Sequence, residues 1–219
     1  MTEYYFRGCK YLAHNPEGTQ KLFEYLKKHG VSLLECCSVD CAIPNEEDTV
    51  IFQCPTCGLI LEESARKKKM ISIYEYLLEK DDFPWPDYGG AELTVQDCWR
   101  MREHPEYQKA IREVLKKMNI RSLEIEQNFE KTDFCGRTLY QVPSSRYERL
   151  APHNLVEKGC FHPQSEEKQL ELMKENSLRY PTHRVVCYCT GCLKGINDGG
   201  NEGIHVLDLI LADDLTAFE

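Results

Sequence analysis

Basic charge is scarce in this chain. With 27 Lys and Arg against 36 Asp and Glu, the formal net charge is −9 and the pI is near 5.4. Binding phosphates needs a basic face that releases counterions, so a nucleic-acid partner is not expected. The one basic run, Arg66 to Lys69, stands alone after an acidic stretch and reads as a solvated helix end rather than a docking patch. Long apolar runs are missing too. Nothing approaches the roughly 18 consecutive apolar residues of a membrane helix, and the opening MTEYYFRGCK has neither an apolar h-region nor a small-residue cleavage site. A cytoplasmic location without membrane insertion is therefore expected. The chain also contains no G-x-G-x-x-G, no P-loop, no G-x-S-x-G and no H-E-x-x-H, which removes the commonest nucleotide, hydrolase and metalloprotease signatures.

What the chain does have is cysteine, twelve in 219 residues. A reducing compartment argues against a disulfide framework, so thiols retained there are read as metal ligands or redox groups. Their order forms one pattern written twice. The first copy runs Cys9, the adjacent pair Cys36 and Cys37, then Cys54-Pro55-Thr56-Cys57. The second runs Cys98, then Cys135 with Phe134 standing where the repeat calls for the first Cys of the pair, then Cys189-Thr190-Gly191-Cys192. Two thiol sets, each drawn from three segments, point to two pseudo-symmetric metal sites. The vicinal pair strengthens this reading, because adjacent cysteines bridge each other poorly yet can both reach one polynuclear cluster.

Hydrophobic residues make up 42% of the chain, enough for one compact body or two cores of about 100 residues each. In the first half, residues 3–8 read as a strand leading to Cys9. Asn15-Pro16 supplies an N-cap and first-turn proline for a helix closed by Gly30, VSLLE is a second strand, and TVIFQ a third that opens into the C-x-x-C helix. In the second half, AELTVQD leads to Cys98, and His104-Pro105 starts a helix that ends at Asn119. RSLEIEQNF reads as a strand, a helix covers Glu166 to Leu178, and RVVCY delivers Cys189. The expectation is an α/β fold of two pseudo-symmetric Rossmann-like halves, residues 1–85 and 86–219. Each is a small, mostly parallel sheet with helices, with its cysteines at the C-terminal ends of strands. Residues 81–90, DDFPWPDYGG, read as the linker or a lid over the joint.

This arrangement resembles the tandem cysteine-rich CCG domains of the B subunit of heterodisulfide reductase and of iron–sulfur subunits in glycolate, lactate and glycerol-3-phosphate oxidation. The likeness covers most of the chain. It rests on Cys9, Cys36, Cys37, Cys54 and Cys57 in the first copy, with Ser38 where the family usually has glycine. In the second it rests on Cys98, Cys135-Gly136, Cys189 and Cys192. The resemblance implies an iron–sulfur cofactor, with a non-cubane 4Fe–4S cluster at a complete five-cysteine motif, and electron transfer to a thiol or disulfide substrate. No ferredoxin-type cysteine run or flavin fingerprint is present, so an iron–sulfur or flavoprotein partner is expected to deliver electrons.

Departures from the family pattern refine the expectation. Phe134 leaves the second site four thiolates, which suit zinc, a 2Fe–2S cluster or a cubane. The first site, with five, is expected to hold the cluster that does the chemistry, leaving the second as a structural centre or an electron relay. The competing reading is a zinc- or cluster-stabilised scaffold or redox sensor without catalysis. Three cysteines fall outside the pattern. Cys41 reads as a sixth ligand, a redox thiol or a buried hydrophobe, and Cys187, alternating with Cys189, reads as core. Cys160 beside His162 reads as a loop cysteine, or as completing a Cys/His site near Cys135.

Overall fold

The computed structural model describes residues 2–34, 47–63 and 69–213. The chain divides into two compact units, Met1–Asp81 with Ser144–Gly159, and Asp82–Pro143 with Cys160–Glu219. The excursion of residues 144–159 into the first unit was not legible in the sequence, which suggested halves at 1–85 and 86–219.

The first unit contains β1 (Glu3–Phe6), α1 (Cys9–His14), α2 (Pro16–Lys28), β2 (Ser32–Leu34), β3 (Thr49–Phe52), α3 (Pro55–Glu63), β4 (Lys69–Ser72) and α4 (Ile73–Leu78). Its sheet is parallel throughout, in the order β2-β1-β3-β4. In the second unit, β5 (Glu92–Val95) is followed by α5 (Pro105–Lys117) and β6 (Arg121–Leu123). The chain then lends α6 (Ser145–Leu150) and a π-helical segment, Pro152–Glu157, to the first unit. It returns with α7 (Glu166–Ser177), β7 (Arg184–Cys187), α8 (Thr190–Asp198), β8 (Glu202–His205) and α9 (Val206–Ile210). This second sheet is also all parallel and repeats the order of the first, as β6-β5-β7-β8. The α/β class and the two similar halves are thus as expected.

The repeat is closer than the cysteines alone indicate. A constant offset relates Glu3 to Glu92, Cys9 to Cys98, Pro16 to Pro105 and Ser32 to Arg121; a second relates Thr49 to Arg184, Cys54 to Cys189 and Cys57 to Cys192. Local chemistry explains the matching elements. Pro16 and Pro105 each occupy the first turn, where a missing N–H costs nothing. Each helix then ends on a left-handed residue, Gly30 at φ 75° and Asn119 at φ 54°. The next amide reaches back to close the end: Val31 N–H to the Leu26 carbonyl at 3.0 Å, and Ile120 N–H to the Leu115 carbonyl at 2.9 Å. Leu22, Phe23 and Leu26 of α2, and Tyr107, Ala110, Ile111, Val114 and Leu115 of α5, form the buried stripes.

Each unit has a fourth strand running directly into a short helix, and neither pair was read from the sequence. In β4 and α4, Ser72 accepts from the Glu75 amide at 3.1 Å while the Glu75 carboxylate accepts from the Ser72 amide at 2.8 Å, a full capping box. His205 takes the same place ahead of α9, its Nδ1 accepting from the Leu207 amide at 3.2 Å. Lys69, grouped with a solvated helix end in the sequence, begins β4; Arg66 to Lys68 lie outside the described residues.

RSLEIEQNF is strand only over Arg121–Leu123. Beyond it the Asn128 side chain replaces the ladder, its Nδ2 donating to the Val95 carbonyl at 2.9 Å and its Oδ1 accepting from the Asp97 amide at 3.1 Å. The proline-rich stretch carries the unit boundary at Asp81 and Asp82, but it is packed. Phe83 and Tyr88 are buried, and the Tyr88 hydroxyl donates to the Leu209 carbonyl at 2.8 Å. In the first unit, the Glu63 carboxylate at the end of α3 accepts from the His153 and Asn154 amides at 2.9 and 2.7 Å, anchoring the borrowed segment.

Candidate metal centre

Parallel strands place the residues that follow them at one end of the sheet, and in the second unit three segments meet there. Cys98 follows β5, Cys189 caps the start of α8 just after β7, and Cys192 lies in the first turn of that helix. Cys135 arrives on the loop between β6 and α6. The sulfurs of Cys98, Cys135, Cys189 and Cys192 all lie within 4.8 Å of one another. Cys98 Sγ is 3.7 Å from Cys135 Sγ, which is 3.9 Å from Cys189 Sγ. A tetrahedral ion with metal–sulfur bonds of about 2.3 Å sets its ligands roughly 3.8 Å apart, so these separations fit one ion held by four thiolates. The site is sealed: Cys98, Cys135 and Cys192 show 0% exposure and Cys189 6%.

Glycine allows Cys135 to approach. Gly136 sits at φ +55°, and a Cβ there would lie 2.1 Å from the Gly191 carbonyl oxygen. A Cβ on Gly195 would lie 2.3 Å from Gly136 Cα. The loop therefore rests backbone to backbone on α8. Gly136→Ala is expected to cost about 1–2 kcal/mol for the left-handed conformation, and more for the clash, and to impair metal retention. Thermal melting and metal content of the variant check this, with Gly200→Ala as a control that shares the positive φ but has open space around it.

Phe134 is buried against α8, its ring edge 3.0 Å from where a Gly195 Cβ would be. Its carbonyl accepts from the Trp99 amide at 3.0 Å, tying the Cys135 loop to the Cys98 loop. It thus fills space and supplies a backbone acceptor.

Electrostatics hold the group ready for a metal. Hydrogen bonds from Cys135, Cys192 and Cys98 hold the Cys189 thiol well below its ordinary value, and the charge of Arg100 acts the same way. Burial pushes the Cys98 and Cys192 thiols well up. Three supporting residues were not singled out by the sequence. The Arg100 guanidinium donates to Cys135 Sγ from a buried position. The Tyr188 hydroxyl accepts from the Cys98 amide at 2.9 Å and donates to Asp97 Oδ1 at 3.0 Å. Asp97, fully buried, pairs with Arg112 through bonds of 2.6 and 2.9 Å. These contacts are non-local, and only the adjacency of Asp97 and Arg100 to Cys98 hinted at them.

The other sequence-predicted residues fall elsewhere. Cys187 is buried outside the group, its thiol 3.6 Å from the Cys189 carbonyl and pushed well up by burial. Cys160 is exposed and is not one of the clustered sulfurs. In the first unit, Cys9 is exposed at the start of α1, Cys54 is half-buried after β3, and Cys57 is buried in α3. The buried Tyr5 phenol, pushed up by burial and by Cys57 and Cys54, lies beside the C-x-x-C and donates to Gln53. Cys36, Cys37 and Cys41 lie outside the described residues. Among the described residues, the second-unit tetrad is the one set of three or more metal-ligating side chains whose atoms approach this closely.

No family model matches the chain, and no curated protein matches it. Among solved structures it is similar to Picrophilus torridus aspartate racemase, with 12% sequence identity, a TM-score of 0.32, and coverage of 99% of this chain and 91% of that one. A likeness that low bears on neither fold nor activity. The sheets and the site themselves define the class: a two-unit parallel α/β protein whose second unit carries four buried, converging cysteines able to hold a metal. Among the described residues, no helix is long and apolar enough to cross a membrane.

Proposed function

We propose that the chain is a metal–thiolate redox protein similar to the B subunit of heterodisulfide reductase, with a closed four-thiolate centre in its second unit and its chemistry in the first. The observation that carries the metal reading is the convergence of the sulfurs of Cys98, Cys135, Cys189 and Cys192 within 4.8 Å, almost wholly shielded from solvent. Such a set suits zinc or a single iron, and once satisfied it leaves no open position for substrate. It is therefore a structural centre or an electron relay.

The substrate-facing role falls to the first copy of the motif, Cys9, Cys36, Cys37, Cys54 and Cys57. Two features support this. The five-cysteine pattern resembles that of the non-cubane cluster, and Cys9 and Cys54 are solvent-accessible where their counterparts Cys98 and Cys189 are buried. A cluster there would supply single electrons to a disulfide sulfur. Cys9 is exposed and Cys54 half-buried, so a small thiol or disulfide can reach both, while the buried Tyr5 donates to Gln53 beside the C-x-x-C. The electron donor is an iron–sulfur or flavoprotein partner.

Anaerobic purification followed by counting iron, zinc and acid-labile sulfide per chain tests this. Iron and sulfide that disappear in Cys37→Ser, while the metal lost in Cys135→Ser is retained, is the expected result. Zinc alone, without sulfide, would leave a zinc-stabilised scaffold in its place.

A further inference from the structure

The four-thiolate centre poses a charge problem that its cysteines do not solve. A divalent ion bound by four thiolates carries two units of excess negative charge, and here that charge sits among side chains almost wholly out of water. Burying uncompensated charge is expensive. Arg100, two residues after Cys98, is 4% exposed and lies against the set, its Nη1 donating to Cys135 Sγ. The guanidinium is stacked over the Trp99 ring, its Cζ 5.2 Å from the ring centroid, and Trp99 in turn meets Phe161 edge-on at 6.3 Å. An aromatic face under a buried guanidinium fixes its plane and replaces part of its lost hydration.

We propose that Arg100 is the charge-compensating residue of this centre, donating to the Cys135 sulfur and thereby strengthening metal retention by all four thiolates. The inference rests on the four-thiolate reading above. Arg100 contributes no ligand atom and acts through Cys135, so it is a positioning residue. Its fixed charge offsets part of the excess on the sulfurs, and its N–H orients the Cys135 lone pairs. Partners of this kind typically change metal affinity by about 10–100-fold.

The test is a Co2+ titration of the metal-stripped full-length chain, following the sulfur-to-cobalt charge-transfer and d–d bands that vanish in Cys135→Ser. A wild-type chain without such bands overturns the four-thiolate reading, and this inference with it. Given the bands, Arg100→Gln is expected to bind Co2+ roughly 10–100-fold more weakly with unchanged d–d positions, while Arg100→Lys, which keeps the charge, retains most of the affinity. Unaltered affinity in Arg100→Gln overturns the proposal. So does a loss of about 10-fold or more in Arg100→Lys, a readout that does not need the glutamine variant to fold.

Discussion

Cys192→Ser is expected to strip the second unit of its metal and to lower its stability more than any other single change in the chain. Cys192 is fully buried in the first turn of α8, where its thiol faces the Phe134 carbonyl at 3.9 Å as well as the other three sulfurs. A serine hydroxyl there is a harder, more weakly ionised donor that cannot complete a soft tetrahedral set. Because binding free energy at a structural site is also folding free energy, of order 10 kcal/mol in small metal-dependent domains, losing one of four ligands should cost several kcal/mol. Metal content and melting temperature, each recorded with and without chelator, provide the measurement. The chelator should shift the melting of the wild type strongly and that of the variant hardly at all. Cys160→Ser and Cys187→Ser, at sulfurs outside the tetrad, should keep their metal.

The second large effect is expected at Asp97, which binds no metal. Its carboxylate takes both guanidinium bonds from Arg112, the Tyr188 hydroxyl, and the Phe129 amide at 2.9 Å. Arg112 is also tied to Glu124 at 2.9 and 2.7 Å. Burial disfavours the Arg112 cation, but the bonds from Glu124 and Asp97 outweigh it and raise its pKa. Asp97→Ala would leave a mostly buried guanidinium short of its closest counter-ion and free the Tyr188 hydroxyl that supports the Cys98 amide. Removing one partner of a buried pair costs about 3–5 kcal/mol. Denaturant unfolding should report that loss, with weakened metal retention following because the Cys98 loop loses its anchor. Tyr188→Phe, which leaves the ion pair intact, should cost less, about 1–3 kcal/mol.

Legibility in the sequence followed the range of the interactions concerned. Pro16, Gly30, Pro105 and Asn119 act within one helical turn, and the ends they mark were read correctly. Strands β1, β3, β5 and β7, each leading toward a cysteine, were found because apolar runs between charged residues have few other places to go. The fourth strands were missed because β4 and β8 pass straight into helices, leaving no turn residue between the two periodicities. The capping pair Ser72 and Glu75 was the available signal. The borrowed segment at 144–159 could not have been read, because its partners Leu59 and Glu63 lie some ninety positions away.

At the site, the cysteine spacing identified four residues that converge. Their support from Arg100, Tyr188, Asp97 and Arg112 depends on tertiary placement of residue types that usually face solvent. For the first site, Cys36 and Cys37 lie outside the described residues, and its assignment rests on the family resemblance and on the sequence repeat in which Cys9, Cys54 and Cys57 correspond to Cys98, Cys189 and Cys192.

X-ray absorption at the edge of the bound metal, comparing the anaerobically purified protein with its Cys135→Ser variant, tests the four-thiolate centre most directly. Wild-type protein should show a component with four sulfur neighbours at about 2.3 Å that is absent from the variant. A metal environment that is the same in both proteins, or that contains nitrogen or oxygen where four sulfurs are expected, would contradict it.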